Sequence, residues 1–261
     1  MKRTIPLALT AVLLSTALAG CGGDDEPASG DGGDAGETTL VVYAAASLTS
    51  TFEDIADEFE STHDGVTVQF NFQGSSDLVA QLQEGAPADV FASADEANMD
   101  KLTADDLQGS EPELFASNTL EIAVPPGNPA GVESFQDLAE DGLNLVVCAP
   151  EVPCGAATQK VAESAGVELA PVSEEQSVTD VLAKVTTGEA DAGLVYVTDV
   201  LVAGDDVEGV EFPESSAAVN LYPIATLGES ENPDLAQEFV DLVLGQTGQS
   251  ILGDAGFAPA P

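Results

Sequence analysis

LVVYAAASLTSTFEDIADEF, at residues 40–59, changes its hydrophobic period halfway along. An apolar run over 40–43 stops at small residues, and Ser47 follows. Then Leu48, Phe52, Ile55, Ala56 and Phe59 recur at helical spacing. This is the pattern of a strand that ends in a hydroxyl at a helix N-terminus. Residues 66–82, VTVQFNFQGSSDLVAQL, repeat it: a strand-like alternation runs into Gly74, Ser75 and Ser76, then Leu78, Val79 and Leu82. A helix N-terminus leaves backbone N–H groups without partners and carries the positive end of the helix dipole. Two of them facing one crevice make an anion site with no charged side chain. Serine is also a favoured N-cap, so either serine alone reads first as an ordinary cap.

The alternation continues along the body. Strands are expected at 40–43, 66–72 and 89–92, each followed by a helix. A second series has strands at 120–124, 143–148 and 193–197, with helices at 155–165 and 178–186. Asn232-Pro233 reads as an N-cap and N1 pair for a helix to Leu244, and another is expected near 247–252. Such alternation predicts parallel βαβ units. Two series joined by extended segments at 118–124 and 219–227 give a two-lobed α/β fold, each lobe a mainly parallel sheet flanked by helices. Lobe I is expected at 39–117 and 224–261, and lobe II at 118–223. Ligands of such folds sit between lobes, at the carboxyl ends of strands. Lobe II offers Cys154 and Val178 at two further helix starts, and Tyr196 at the end of an apolar strand. Taken alone, Tyr196 reads as half-buried packing.

The chain has 47 acidic residues against 5 Lys plus Arg, a formal net charge of −42. That balance argues against nucleic acid and anionic membrane surfaces as partners. It reads as a solvated acidic surface. Beyond Lys2 and Arg3 only Lys101, Lys160 and Lys184 remain. Any anion must therefore be held by neutral dipoles in a shielded cleft.

The first residues carry an address. Met1-Lys2-Arg3, an apolar stretch over 5–18 and Leu18-Ala19-Gly20-Cys21 form a signal-peptide pattern, too short to favour a spanning helix. It resembles the lipobox of bacterial lipoproteins. The expectation is a signal peptide at 1–20, lipidation at Cys21, a flexible Gly- and Asp-rich tether over 21–38, and a body held on the outer face of the cytoplasmic membrane. Cys148 and Cys154 flank a turn, and outside the cell such a pair can oxidise. A disulfide is favoured over two buried thiols.

Six segments together resemble the molybdate-binding proteins of bacterial ABC importers, the ModA family. They are AAASLTSTFEDIADEF (44–59), GSSDLVAQL (74–82), EGAPADVFASAD (84–95), PEVPCG (150–155), QSVTDVLAKVTTGEADAGLVYVTD (176–199) and GQTGQSILGDAGF (245–257). The resemblance implies a type II periplasmic-binding-protein fold and a tetrahedral dianion, molybdate or tungstate, held by neutral donors. By motif match it places hydroxyl donors at Ser47, Ser75 and Tyr196, with Ser76 the rival of Ser75. Backbone donors fall at Cys154 and Val178. Cys154 stands where the family has alanine, a change that a backbone contact tolerates. No cofactor is implied, and metal enters only as an oxyanion. The implied partners are an ABC importer permease with its cytoplasmic ATPase, and the chain is expected to be monomeric.

Other functions fare worse on the residues. A serine hydrolase needs a base, yet His63 is the single histidine and no G-x-S-x-G elbow surrounds any serine. The cysteines lack zinc spacing. Carboxylate-only hydrolysis stays open, without a tryptophan to make a sugar platform. Among binders of the same fold, an iron carrier would want clustered tyrosines, but Tyr43, Tyr196 and Tyr222 are far apart in sequence. An organic carboxylate would want an arginine clamp, and the body has none. Sulfate is the nearest competitor. A purely adhesive lipoprotein does not account for the organised helix starts.

Overall fold

The computed structural model describes residues 38–261. The expected signal peptide, Cys21 and the tether as far as residue 37 lie outside the described residues. In chain order the first lobe runs β1 (Thr38–Ala45), α1 (Thr49–Thr62), β2 (Val66–Gln73), α2 (Ser75–Gln83), β3 (Val90–Ala92), α3 (Glu96–Ala104) and β4 (Glu113–Asn118). The second holds β5 (Leu120–Val124), β6 (Leu145–Cys148), α4 (Pro153–Ala165), β7 (Ser173–Glu175), α5 (Val178–Thr186), β8 (Ala192–Tyr196), α6 (Val197–Ala203) and β9 (Glu208–Val210). The chain then returns through β10 (Asn220–Thr226), α7 (Pro233–Leu244) and α8 (Gln246–Asp254).

Two five-stranded sheets result, ordered β2-β1-β3-β10-β4 and β7-β6-β8-β5-β9. Each is mixed rather than mainly parallel. β10 runs antiparallel to β3 and β4, and β5 runs antiparallel to β8 and β9. These are the strands by which the chain enters a sheet from the other lobe. Their direction is set by that crossover, not by a βαβ connection, which alone enforces parallel pairing. The outward crossover is the single residue Thr119, between β4 and β5. The return lies ahead of 220 instead of at 224, because β10 pairs with the first sheet from Asn220 onward.

Helices cover both faces of the first sheet. α1 buries Phe52, Ile55, Ala56 and Phe59, and α7 buries Ala236, Phe239, Val240 and Val243, each a stripe at helical spacing. Phe52, Phe59 and Phe239 meet edge to face, with centroids 5.5 to 6.0 Å apart for Phe239 against the other two. Burying each such ring contributes about 1.5–3 kcal/mol. On the opposite face, Leu78, Val79, Leu82, Met99 and Leu102 of α2 and α3 form a second core. The second lobe has one core, built on Val146, Val181, Val185, Leu194 and Val195. There α5 lies directly on β8 at Gly193, where a Cβ would come within 2.7 Å of Val181 Cγ1 and 2.9 Å of Val185 Cγ2.

Two links tie separate segments together. The buried Asp89 carboxylate accepts the Val41 N–H at 2.7 Å and the hydroxyl of Ser230, fastening the segment before α7 to β1. Cys148, at the end of β6, is disulfide-bonded to Cys154 in the first turn of α4, with Cα atoms 5.7 Å apart, inside the ordinary range.

Candidate functional site

Where the lobes meet, one small cavity is lined by Ala45, Ala46, Ser47, Gly74, Ser75, Ala94, Val152, Pro153, Cys154, Val178 and Tyr196. All five residues singled out as ligand donors are among them. Its open space is about 10 Å³ for the centre of a water molecule, close to the room of a single water and far below that of an organic ligand. Neither a lysine nor a carboxylate lines it. A larger hollow beside Glu121, Glu211 and Ser215 contains none of these donors.

Each donor owes its place to local structure. Ser75 is the first residue of α2, behind Gly74 as N-cap. Its Oγ accepts the Ala94 N–H at 3.0 Å, which leaves its own proton to give. Ser76 has a buried hydroxyl with no partner among the described residues, but it does not line the cavity. Cys154 is the second residue of α4, after Pro153. Proline has no N–H, so the Cys154 amide is the first that α4 presents. Val178 is the first residue of α5. Ser177 caps that helix by accepting the Asp180 N–H at 3.1 Å, so the cap leaves the Val178 amide unused. Ser47 differs from the expectation. It sits in a 3-10 turn over Ala46–Leu48 ahead of α1, not at the N-cap of the α-helix. The Ala-rich run leads out of β1 through this tighter turn, and Ser47 meets the hydroxyl of Tyr222 at 3.1 Å.

Tyr196 ends β8 and is the N-cap of α6. Its side chain is 1% exposed, and its hydroxyl has the Tyr222 hydroxyl as a neighbour but no partner at good hydrogen-bond geometry among the described residues. A buried hydroxyl is rarely left unpaired, and such a group calls for an acceptor. Burial pushes the Tyr196 phenol far above its ordinary range, with Tyr222, Asp95 and Asp199 adding to the rise. Burial does the same to Tyr222. Both phenols therefore remain O–H donors at any ordinary pH. Asp199 lies beneath them, accepting the Tyr196 N–H at 2.8 Å, and burial raises its carboxyl from 3.8 to about 7.

The cleft is shut. Gly74 of the first lobe lies so close to the Gln176 carbonyl of the second that a Cβ would collide with it. Four contributors here escape sequence reasoning: Gly74 as the contact between lobes, Ala94 behind Ser75, Tyr222 behind Ser47, and Asp199 beneath Tyr196. Gly74, Ala94 and Asp199 lie inside the motif segments, but nothing in spacing distinguishes them from a turn glycine, a loop alanine and a helix N3 acid. His63 is the C-cap of α1, stacked on Phe59 and 2.8 Å from Glu238, and takes no part in the cavity. Among the described residues no cluster of three or more His, Cys, Asp or Glu is placed to hold a metal cation.

Residues 40–258 match the family model for bacterial extracellular solute-binding proteins. A curated molybdate-binding protein, ModA of Mycobacterium tuberculosis, is 48% identical over 250 residues, with 96% of each chain covered. Among solved structures, the periplasmic molybdate-binding protein of Azotobacter vinelandii superposes with a TM-score of 0.72 at 22% identity, over 85% of this chain and all of that one. The sulfate-binding protein SubI of M. tuberculosis superposes nearly as well, at 0.71 and 19% identity, over 85% of this chain and 87% of the other. At these identities the structural matches establish the fold and do not choose between oxyanions.

Proposed function

Because the chain belongs to the ModA family of molybdate-binding proteins, within the bacterial extracellular solute-binding proteins, we propose that it captures molybdate or tungstate outside the cytoplasm and delivers it to an ABC importer. One observation carries this: donors from both lobes converge on a single cavity lined by no charged side chain. Ser47 and Ser75 supply hydroxyls from lobe I. Cys154 and Val178 supply amides, and Tyr196 a hydroxyl, from lobe II. Helix dipoles offset the charge of the dianion without drawing protons or cations into the site. The shut cleft then excludes water, in which these hydrogen bonds would be weaker. Discrimination follows from the same donors. Sulfate is smaller and reaches them with longer contacts, and hydrogenphosphate brings a proton for which a donor cage has no acceptor.

Binding and release are a hinge motion of the two lobes about Thr119 and the segment before β10. In this reading the chain is a carrier and not an enzyme. The protein acts as a monomer, anchored by a diacylglycerol on Cys21 through the tether, and it docks on a permease coupled to a cytoplasmic ATPase. Loss of detergent-phase partitioning in a Cys21→Ser variant checks the anchor.

The deciding measurement is thermal unfolding with molybdate, tungstate, sulfate and phosphate in turn. A ligand at a thousand times its dissociation constant adds about 4 kcal/mol. A large rise with molybdate and tungstate alone supports this function. An equal rise with sulfate reassigns the cargo, and no rise with any oxyanion overturns the site.

A further inference from the structure

Tyr222 does not line the cavity, yet its hydroxyl lies 3.1 Å from Ser47 Oγ. The ring is fully buried and held in place by edge-on contacts with Phe115, Phe257 and Tyr196, at centroid distances of 6.1, 5.4 and 6.1 Å. It projects from β10 at the bulge before Pro223, in the return from one lobe to the other.

A serine hydroxyl has one proton and can also accept. If Ser47 gave its proton to Tyr222, its lone pairs would face the cavity, where they repel a dianion and welcome a protonated one. If Tyr222 gives its proton to Ser47, the Ser47 proton is left for the ligand. Ser75 stands in the second arrangement, because the Ala94 N–H behind it can only donate. We propose that Tyr222 is the counterpart of that amide: a positioning residue that keeps Ser47 a donor and thereby sets selection against protonated oxyanions. This rests on the oxyanion-binding function proposed above. Unlike the Ala94 amide, the Tyr222 hydroxyl can be deleted by substitution.

The test is displacement titration of the full chain at about pH 8, where phosphate and arsenate retain one proton while molybdate and sulfate have none. The Tyr222→Phe variant is expected to bind molybdate and sulfate more weakly by a similar factor, roughly tenfold for one lost hydrogen bond to a charged-ligand donor. Hydrogenphosphate and hydrogenarsenate should weaken less or tighten, so the molybdate-to-phosphate ratio narrows. In a Ser47→Ala background the same Tyr222→Phe change should leave that ratio unmoved, because Tyr222 acts through Ser47. A Phe115→Leu variant, which loosens the ring but keeps its hydroxyl, should lower the unfolding temperature without changing the ratio. Equal loss for all four anions in Tyr222→Phe, or a ratio change that persists without Ser47, overturns the inference. Failure of the unaltered protein to bind any of them would instead overturn the proposed function.

Discussion

Ser75 Oγ accepts the backbone N–H of Ala94 at 3.0 Å, joining the first turn of α2 to the segment that follows β3. One hydroxyl thus satisfies a buried amide and still has its own proton to donate. Ser75→Ala removes both. The unliganded protein should lose about 1–3 kcal/mol, the penalty for a buried amide without a partner. Molybdate affinity should fall about 10- to 100-fold in the same variant. Ser76→Ala, beside it, deletes a hydroxyl with no partner among the described residues and should leave affinity unchanged. Urea unfolding and ligand titration of the pair would separate them. Equal behaviour of the two variants would remove Ser75 from the site.

Tyr196 predicts opposite signs for stability and binding. Its buried hydroxyl meets no partner at good hydrogen-bond geometry among the described residues, with the Tyr222 hydroxyl as its neighbour, so Tyr196→Phe removes a desolvated polar group at little loss of protein hydrogen bonding. The unliganded variant should be at least as stable as the parent by thermal unfolding. With molybdate present it should be the less stable of the two, because the donor is gone. A variant that loses stability without ligand would show that the hydroxyl has a structural partner.

β1 shows in the sequence as an unbroken apolar run because both its faces are covered, whereas hydrophobic period marks β2, α1, α5 and α7 because each buries one face. It fails where burial is not one-sided. β7 reads SEE and has no apolar residue, and β4 ends in the buried polar pair Ser117 and Asn118. α6 continues directly from β8, so VYVTDVLV presents an apolar stretch with no break at the strand end. β10 contains Pro223, which argues against an interior strand, yet β10 lies inside the sheet because the register shifts at that proline. Missing β10 also hides Tyr222. The places of the candidate donors Ser47, Ser75, Cys154 and Val178 are legible because a strand or turn running into a helix start is a local signal, whereas Tyr196 stands out only through the family resemblance. What stands behind them comes from distant segments, and spacing does not report it.

Asp199 gives the fold a pH dependence of defined sign. Its carboxyl titrates at about 7 in the folded protein against an ordinary 3.8, chiefly through burial. Below about pH 4 both states hold the proton. Between there and pH 7 only the folded state does, so stability falls as pH rises, and above 7 it levels off. The shift corresponds to about 4 kcal/mol. Asp199→Asn keeps an acceptor for the Tyr196 N–H but cannot ionise. Its stability relative to the parent should therefore grow from pH 4 to pH 7. Asp137 and Glu175, whose carboxyls are held low, act with the opposite sign at lower pH in both proteins and cancel in the comparison. Parallel stability curves for parent and variant would show that Asp199 stays ionised.

Gly74 separates closure from folding. Its φ of −60° suits any residue, so backbone freedom does not require glycine there. What requires it is the other lobe: a Cβ would strike the Gln176 carbonyl and lie 3.5 Å from Val152 Cγ1. Gly74→Ala therefore leaves each lobe's own packing untouched and holds the lobes apart. The donors Cys154, Val178 and Tyr196 then cannot reach an ion held by Ser47 and Ser75. Each such hydrogen bond to a charged ligand contributes about 1.5–3 kcal/mol, so affinity should fall by about two orders of magnitude or more. Circular dichroism and thermal unfolding without ligand should match the parent. Small-angle scattering with molybdate present should show the more extended lobe arrangement. Tight binding by Gly74→Ala would mean that the lobes need not approach this closely, and the shut cleft would then not be the ligand-holding state.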